Sequence, residues 1–152
     1  MTVREALNLA FKNHQEGKLY EAEMLYRQIL NLDKNNAYAL HLLGVIAHQV
    51  KKYDEAIKDI TKAIKLDPNH APFYSNLGMA YQELGKTDEA IKNFKKALEI
   101  NPKYTKAYIA HYNLGVAYYN QGKYKEATKH YEESLKLNPN FINARSNLAV
   151  SS

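Results

Sequence analysis

The chain of 152 residues contains no cysteine. This absence excludes disulfides and thiol nucleophiles and suits a reducing compartment, so we expect a cytoplasmic protein. No apolar run approaches the roughly 18 to 20 residues that a membrane-spanning helix needs, so we expect no membrane partner. The opening residues, MTVREALNLAFKNHQ, lack the apolar centre and small-residue cleavage site of a signal peptide, and they predict an amphipathic helix instead.

Arginine and glycine are also scarce. The only arginines are Arg4, Arg27 and Arg145, so the net charge of +5 comes from lysines. These lysines are spread over predicted outer helix faces and form no cluster with arginine, so we do not expect nucleic acid as a partner. The glycines are isolated from one another, which excludes a Gly-rich phosphate-binding loop.

The dominant feature of the sequence is internal repetition. The stretch from Ala71 to Tyr104 reads APFYSNLGMAYQELGKTDEAIKNFKKALEINPKY and holds two amphipathic segments separated by Gly-Lys. The alanine at position 90 recurs with spacings of 34, 34 and 37 residues between successive copies, and the small residue at position 78 recurs with the same spacings. The recurring residues are Ala22, Ala56, Ala90 and Ala127, and Ala10, Gly44, Gly78 and Gly115. Such a period predicts helical hairpins that cover one another's apolar faces.

Four positions of the repeating unit have clear physical roles. Gly78 and Ala90 are predicted to lie where two helices cross closely, because only small side chains fit there. Gly85 is predicted to end the first helix in the left-handed conformation that glycine adopts freely. Pro102 cannot continue the second helix and is predicted to stop it.

The pattern formed by these positions resembles the tetratricopeptide repeat family. The matching residues of the third copy are Leu77, Gly78, Tyr81, Gly85, Ala90, Phe94, Ala97 and Pro102. The resemblance implies an all-α fold, an α-solenoid in the form of a right-handed superhelix, with 1–152 as a single domain. The predicted repeats are 3–36, 37–70, 71–104 and 105–141, followed by a C-terminal helix at 142–152. The predicted helices include 3–16, 19–32, 37–50, 53–66, 105–121 and 124–137.

The fourth repeat contains three extra residues. Ten residues separate Pro68 from Gly78, whereas thirteen separate Pro102 from Gly115. Removal of 109–111 restores the repeat, and three residues correspond to about 300° of helix. We therefore predict a first helix longer by most of a turn, with a register adjustment near 108–112. A π-bulge or a looped-out helix start are the alternatives.

The sequence predicts neither a catalytic nor a metal site. His14 and His48 hold equivalent places on successive first helices, at a helix–helix distance of ~8–10 Å. His41 lies on much the same face, but no third or fourth ligand converges with them. The serines lack evident His-Asp support, and the aspartates fall in turns or at outer helix starts. We expect no enzyme activity, no metal and no cofactor.

The resemblance implies that the first helices line a concave groove. The residue two before the recurring glycine would face this groove; it is Asn8, Leu42, Asn76, Asn113 and Asn147. Asparagine can hold a peptide backbone through its donors and acceptor. The pattern is similar to the asparagine ladder in the repeats of O-linked N-acetylglucosamine transferase. The segments HLLGVIAHQ and AEMLYRQIL also resemble the repeats of its bacterial, SPINDLY-like relatives. The alternative is that these asparagines are merely solvated.

We therefore expect a non-catalytic scaffold that binds a protein or peptide in the groove of the third and fourth repeats. The predicted binding residues are Asn76, Met79, Gln82, Tyr112, Asn113 and Tyr119, together with Asn8 and Asn147. Alternatively, Tyr112 and Tyr119 are core residues displaced by the insertion. The family's clamp for acidic chaperone tails is not expected, because its places hold Leu7, Phe11 and Leu42.

Two other functions stay open. The chain could be the substrate-recognition segment of a glycosyltransferase-type protein, or a self-assembling structural module. The final segment, FINARSNLAVSS, copies the start of a first helix and is predicted to cap the stack. If Phe141, Ile142 and Leu148 cover the last repeat incompletely, weak self-association through this end is expected.

Overall fold

The computed structural model describes residues 1–151, and within that range it contains nine α-helices and no strand. The helices are α1 (Val3–Gln15), α2 (Leu19–Leu32), α3 (Ala37–Gln49), α4 (Tyr53–Leu66), α5 (Ala71–Glu83), α6 (Thr87–Ile100), α7 (Ala107–Asn120), α8 (Tyr124–Leu137) and α9 (Ile142–Ser151). The predicted all-α fold is confirmed. Position 152 of the predicted C-terminal helix lies outside the described residues.

The helices fall into two compact units, Met1–Asn69 and His70–Ser152. In the first unit α1 packs on α2 and α3 on α4; in the second unit α5 packs on α6 and α7 on α8, and α9 packs against α8. Short turns make each pair an antiparallel hairpin. The single domain and the superhelical hand stay predictions.

Each hairpin turn ends its first helix with the same backbone motif. In the third repeat Gly85 has φ 75°, and the N–H of Lys86 donates to the carbonyl of Tyr81 at 2.9 Å. This arrangement satisfies carbonyls that would otherwise be left at the helix end. The predicted role of the turn glycine is therefore confirmed. In the second repeat Lys51 takes the glycine's place and adopts φ 66°, a conformation that costs a residue with a Cβ atom.

The recurring glycines lie at close helix crossings, as predicted. A Cβ atom on Gly78 would meet the ring of Phe94 at 2.8 Å, and one on Gly115 would meet the ring of Tyr131 at 2.4 Å. Both distances are well inside van der Waals contact. The backbone of each first helix therefore rests directly on a large side chain of the second helix. Ala10 occupies this position in the first repeat, in the same core as Tyr26.

The prediction for the three extra residues of the fourth repeat is wrong. Helix α7 has 14 residues, only one more than α5, and it runs through 108–112 without interruption. The other extra residues lie in the loop before α7, which comprises residues 101–106. The equivalent loop between α2 and α3 comprises only residues 33–36. The looped-out start, an alternative from the sequence, is therefore correct.

Burial explains why the extra residues are looped out. Ala107, Ala110 and Leu114 are buried, so α7 keeps its apolar register against the neighbouring helices. A rotation of the helix start would move these side chains out of the core. The extra backbone is held by the N–H of Ala107, which donates to the carbonyl of Tyr104 at 2.8 Å. The hydroxyl of Tyr104 shares a hydrogen bond with Ser75 on α5, and burial raises the pKa of this tyrosine.

Candidate functional site

Seven of the eight predicted binding residues lie on first helices of the second unit. They are Asn76, Met79 and Gln82 on α5, Tyr112, Asn113 and Tyr119 on α7, and Asn147 on α9. The eighth, Asn8, lies on α1 in the first unit and is exposed. We describe the second unit as the candidate site because it brings the polar side chains of three helices together.

Two long hydrogen bonds connect these three helices. The side-chain amide of Gln82 donates to the backbone carbonyl of Asn113 at 3.5 Å. The amide of Asn147 lies 3.4 Å from the hydroxyl of Tyr112 and 3.5 Å from that of Tyr131. Hydrogen bonds of this length are weak, but they place the polar faces of α5, α7 and α9 side by side.

Tyr112 is held mainly by packing. Its half-buried ring meets Phe141 edge to face, with ring centroids 5.2 Å apart, and lies 6.0 Å from the ring of Tyr131. Met79 likewise packs against the core of the second unit. The surroundings of Tyr112 therefore favour the packing alternative that the sequence left open, while its hydroxyl still lies beside Asn147.

Tyr119 and Asn113 are more accessible to a ligand. Tyr119 is 36% exposed, and its ring is fixed edge to face against Tyr124 at 5.1 Å. Asn113 is half-buried, and no hydrogen bond within the described residues engages its side-chain amide. A fixed aromatic ring and an unengaged amide on one helix are suitable contacts for an extended peptide.

A cleft of about 220 Å³ lies among α7, α8 and α9. Its lining residues are Val116, Tyr119, Asn120, Tyr131, Asn147 and Val150. The lining contains no formal charge: two valines form apolar walls, and tyrosine and asparagine side chains supply polar groups. Burial raises the pKa of Tyr131, partly offset by its hydrogen bond to Asn147, so its hydroxyl remains protonated at neutral pH.

Sequence reasoning identified Tyr119 and Asn147 in this cleft and missed its other residues. Val116 follows Gly115 as Met79 follows Gly78, so the same argument could have found it. Tyr131 could not have been found in this way, because its position belongs to the apolar face of a second helix. It is 2% exposed, yet it lines the cleft.

The first unit has a different, charged cleft of about 170 Å³ among α2, α3 and α4. Arg27 on its edge is paired with Glu23 at 2.9 Å, so this cation is already engaged by the chain itself. Asp59 also lines the cleft; burial raises its pKa, and the nearby Arg27 opposes the shift. Leu42, which replaces asparagine at the groove position, is buried. This unit therefore lacks the neutral polar face of the second.

Within residues 1–151, no three histidine, aspartate or glutamate side chains come together as metal ligands. No helix in the same range is both long enough and apolar enough to cross a bilayer.

Paired helices, close crossings at small residues and a shared turn motif define a helical-hairpin repeat protein. A family model described as tetratricopeptide repeat matches residues 36–103 and 69–140. The chain belongs to the tetratricopeptide repeat family.

Solved structures support the same assignment. The chain is similar to MamA, with 26% identity and a TM-score of 0.82 over 98% of this chain and 80% of that one. It is 34% identical to the first repeat domain of Spaghetti (RPAP3) bound to an HSP90 peptide, with a TM-score of 0.72 over 78% and 92% of the two chains. An O-GlcNAc transferase mutant from Thermobaculum terrenum matches at 25% identity and a TM-score of 0.82, over 88% of this chain and 26% of that one. No curated protein sequence gives a significant match.

Proposed function

We propose that the chain is a non-catalytic scaffold that binds a protein or peptide segment along α5, α7 and α9. The main support is the cleft of about 220 Å³ among α7, α8 and α9, which the predicted binding residues Tyr119 and Asn147 line. The side chains of Asn76 and Asn113 would hold the peptide backbone, and Tyr119 would contact its side chains. The related RPAP3 domain, which has a peptide bound, is a precedent within the family.

The lining of the cleft indicates what the peptide should offer. Val116 and Val150 favour an apolar side chain, because its burial removes apolar surface from water. No lining residue is charged, so an acidic tail gains no ionic partner there. We therefore expect a neutral or apolar anchor residue and an affinity that depends weakly on salt concentration.

The test is a peptide selected against the wild-type chain from a random library, with its affinity measured by fluorescence polarisation. The double substitution Asn76→Ala and Asn113→Ala should weaken binding at least about tenfold, as the loss of two hydrogen bonds implies. Helicity and melting temperature should stay unchanged. Asn31→Ala, at an exposed asparagine of α2 outside the predicted groove, is the control and should not alter the affinity. Unchanged affinity in a folded double variant would refute the groove assignment, and early melting would show that these residues are structural.

A second candidate is a substrate-recognition segment of a glycosyltransferase-type protein. Its support is the similarity to the Thermobaculum terrenum transferase, of which the chain spans about a quarter. Sequencing the gene downstream of the codon for position 152 tests it. A continuing reading frame with a transferase domain favours this candidate, and a stop codon removes it.

The third candidate, a self-assembling module, depends on the last helix. Phe141 packs against Tyr108 and Tyr112, and Leu148 packs against the core of the second unit, so both are largely used within the chain. Of these three residues, Ile142 is the one that is largely exposed, at 73%. We expect at most weak self-association through this end. A monomeric mass by light scattering up to millimolar concentration would exclude it.

A further inference from the structure

Two histidines meet where α7 packs on α8. The Nδ1 atoms of His111 and His130 are 3.1 Å apart, and their rings stack with centroids 5.4 Å apart and an interplanar angle of 28°. Tyr118 also stacks on His130, at 5.5 Å and 19°. Both imidazoles are half-buried. We call this contact the His111–His130 pair.

The protonation state determines whether this contact attracts or repels. A nitrogen–nitrogen separation of 3.1 Å is a hydrogen bond only when one Nδ1 has a proton and the other has a free lone pair. One additional proton can be accepted on the donor ring at Nε2, which leaves the bond intact. A second proton must go onto the accepting Nδ1. Two N–H groups and two positive charges then face each other, and the contact becomes repulsive.

Positive charges surround the His111–His130 pair. From α6, the ammonium group of Lys95 lies 5.7 Å from the ring centroid of Tyr118, and Lys123, just before α8, lies 5.8 Å from it. On α8, Lys129 adds another cation. Glu133 on the same helix is the one opposing charge that acts on both histidines, and it is itself paired with Lys136 at 3.3 Å. These surroundings oppose a second proton.

Burial lowers both pKa values. Nearby cations lower the pKa of His130 further, whereas the charge of Glu133 opposes the shift of His111. The pKa of His130 is lowered to about 4, mainly by burial and further by His111, Lys129 and Lys95, with Glu133 opposing. Burial also lowers the pKa of His111. An unfolded histidine has a pKa of about 6.5, so the unfolded chain takes up protons first as the pH falls. The stabilisation is therefore complete above about pH 6.5 and is lost progressively as the pH falls towards 4.

The equivalent positions of the other repeats contain no such pair. One position lies four residues before the recurring small residue of the first helix, and the other lies three residues after the recurring alanine of the second helix. The pairs at these positions are Ala6 and Leu25, Leu40 and Asp59, Tyr74 and Asn93, and His111 and His130. The fold therefore accepts several side-chain pairs here, and two facing bases are specific to the fourth repeat.

We propose that the His111–His130 pair is an acid-sensitive latch that holds α7 against α8 at neutral pH and releases them in mild acid. Release would move Tyr119 on α7 away from Tyr131 on α8, and since both line the cleft among α7, α8 and α9, this cleft would open. The latch does not depend on the proposed peptide binding. If that binding is correct, the peptide should also be released in acid.

The test is hydrogen exchange of the full chain at pH 7 and pH 5, followed by mass spectrometry and corrected for the intrinsic rate. Protection of α7 and α8 in the wild type should fall of the order of tenfold, a value reduced for the partial exposure of the rings. The matched variant combines His111→Tyr with His130→Asn, the pair that the third repeat already contains. Its α7 and α8 protection should change less than about twofold. An equal loss in both proteins, or no loss in the wild type, would overturn the latch.

Helices α5 and α6 are the internal control, and the position of Asp59 on α4 is a second comparison. The first unit as a whole is not a control, because α3 contains the buried His41. Asp59 occupies the place of His130 in the second repeat, and burial raises its pKa above the ordinary value of 3.8. The stability that this group contributes is present at low pH and is lost as the pH rises through its folded pKa. Mild acid should therefore not loosen α3 and α4 through this position, nor α5 and α6, where Asn93 does not titrate. An equal loss of protection in all helices would show general acid unfolding and would also overturn the proposal.

If the double variant fails to fold, measurements on the wild-type protein alone still test the latch. Nuclear magnetic resonance of the two imidazoles follows the macroscopic titration steps of the coupled rings. The latch requires a second step below about pH 5, so that α7 protection already begins to fall while the rings of the folded protein are not yet both protonated. Two independent rings with ordinary pKa values near 6.5, beneath a protected α7, would refute it.

Discussion

Tyr26 and Tyr131 occupy the same position in the first and fourth repeats, and both rings are buried. Their hydroxyl groups differ. That of Tyr131 lies 3.5 Å from the amide of Asn147, whereas that of Tyr26 has no hydrogen-bond partner among residues 1–151. The residue of α3 that is equivalent to Asn147 is Leu42, which lies in the same apolar core as Tyr26.

This comparison shows that the repeat specifies shape more strictly than polarity. In both units a tyrosine ring fills the space against the small residue of the first helix. The first helix of the next repeat determines whether the tyrosine hydroxyl has a hydrogen-bond partner. A buried hydroxyl without a partner costs about 1–3 kcal/mol. Burial accordingly raises the pKa of Tyr26 well above its ordinary value, since nothing stabilises the phenolate.

The largest expected effect tests whether the α1–α2 and α7–α8 helix crossings have the same shape. Gly115→Ala should destabilise the second unit by about 2 kcal/mol, because the new Cβ atom would lie 2.4 Å from the ring of Tyr131. The first unit already has Ala10 at this position. Urea unfolding followed by circular dichroism measures the change. A cost below about 0.5 kcal/mol would mean that the α7–α8 crossing adapts as the α1–α2 crossing has.

The next effect concerns the two hydroxyl groups. Tyr26→Phe should stabilise the protein by about 1 kcal/mol, since it removes a buried group without a partner. Tyr131→Phe should cost about 0.5 kcal/mol, because the bond that it removes is long. Tyr124→Phe, at an exposed ring, is the control and should have no effect. Equilibrium unfolding in urea gives all three values. The same sign for Tyr26→Phe and Tyr131→Phe would contradict the interpretation of Leu42 and Asn147.

The smallest effect concerns the hairpin turns. Lys51→Gly should stabilise the first unit by about 0.5 kcal/mol, because glycine adopts φ 66° without steric cost but loses more entropy on folding. Lys52→Gly is the matched control, since Lys52 has φ −95° and gains nothing from glycine. The change in melting temperature of each variant measures its effect on stability. A loss of stability in Lys51→Gly would show that the lysine side chain makes a compensating contact.

Most of the fold could be predicted because its signals are local and recur. The turn glycine Gly85 and the crossing glycines Gly78 and Gly115 have the roles predicted for them. The predicted helix bounds agree with the structure to within two residues. The prediction failed at 109–111, where the sequence showed that residues were added but not where they would be accommodated. Burial of Ala107 and Ala110 decided that question in favour of the loop.

The candidate site could be predicted only in part. The asparagine positions followed from the repeat register, and the structure places Asn113 and Asn147 on neighbouring helices of one unit. Tyr131 and the His111–His130 pair could not be recognised, because their roles depend on contacts between helices. Whether the asparagines bind a peptide stays a prediction for the double variant to test.

By itself, the sequence determined the repeat period, the helix order, the turn motif and the small residues at the crossings. These follow from backbone conformation and from apolar spacing along one helix, which are short-range properties. Only the tertiary structure decided that the inserted residues form a loop, that His111 faces His130 and that the hydroxyl of Tyr26 has no partner among residues 1–151. Each of these depends on which side chains from different helices meet, and on whether the polarity of one matches that of the other.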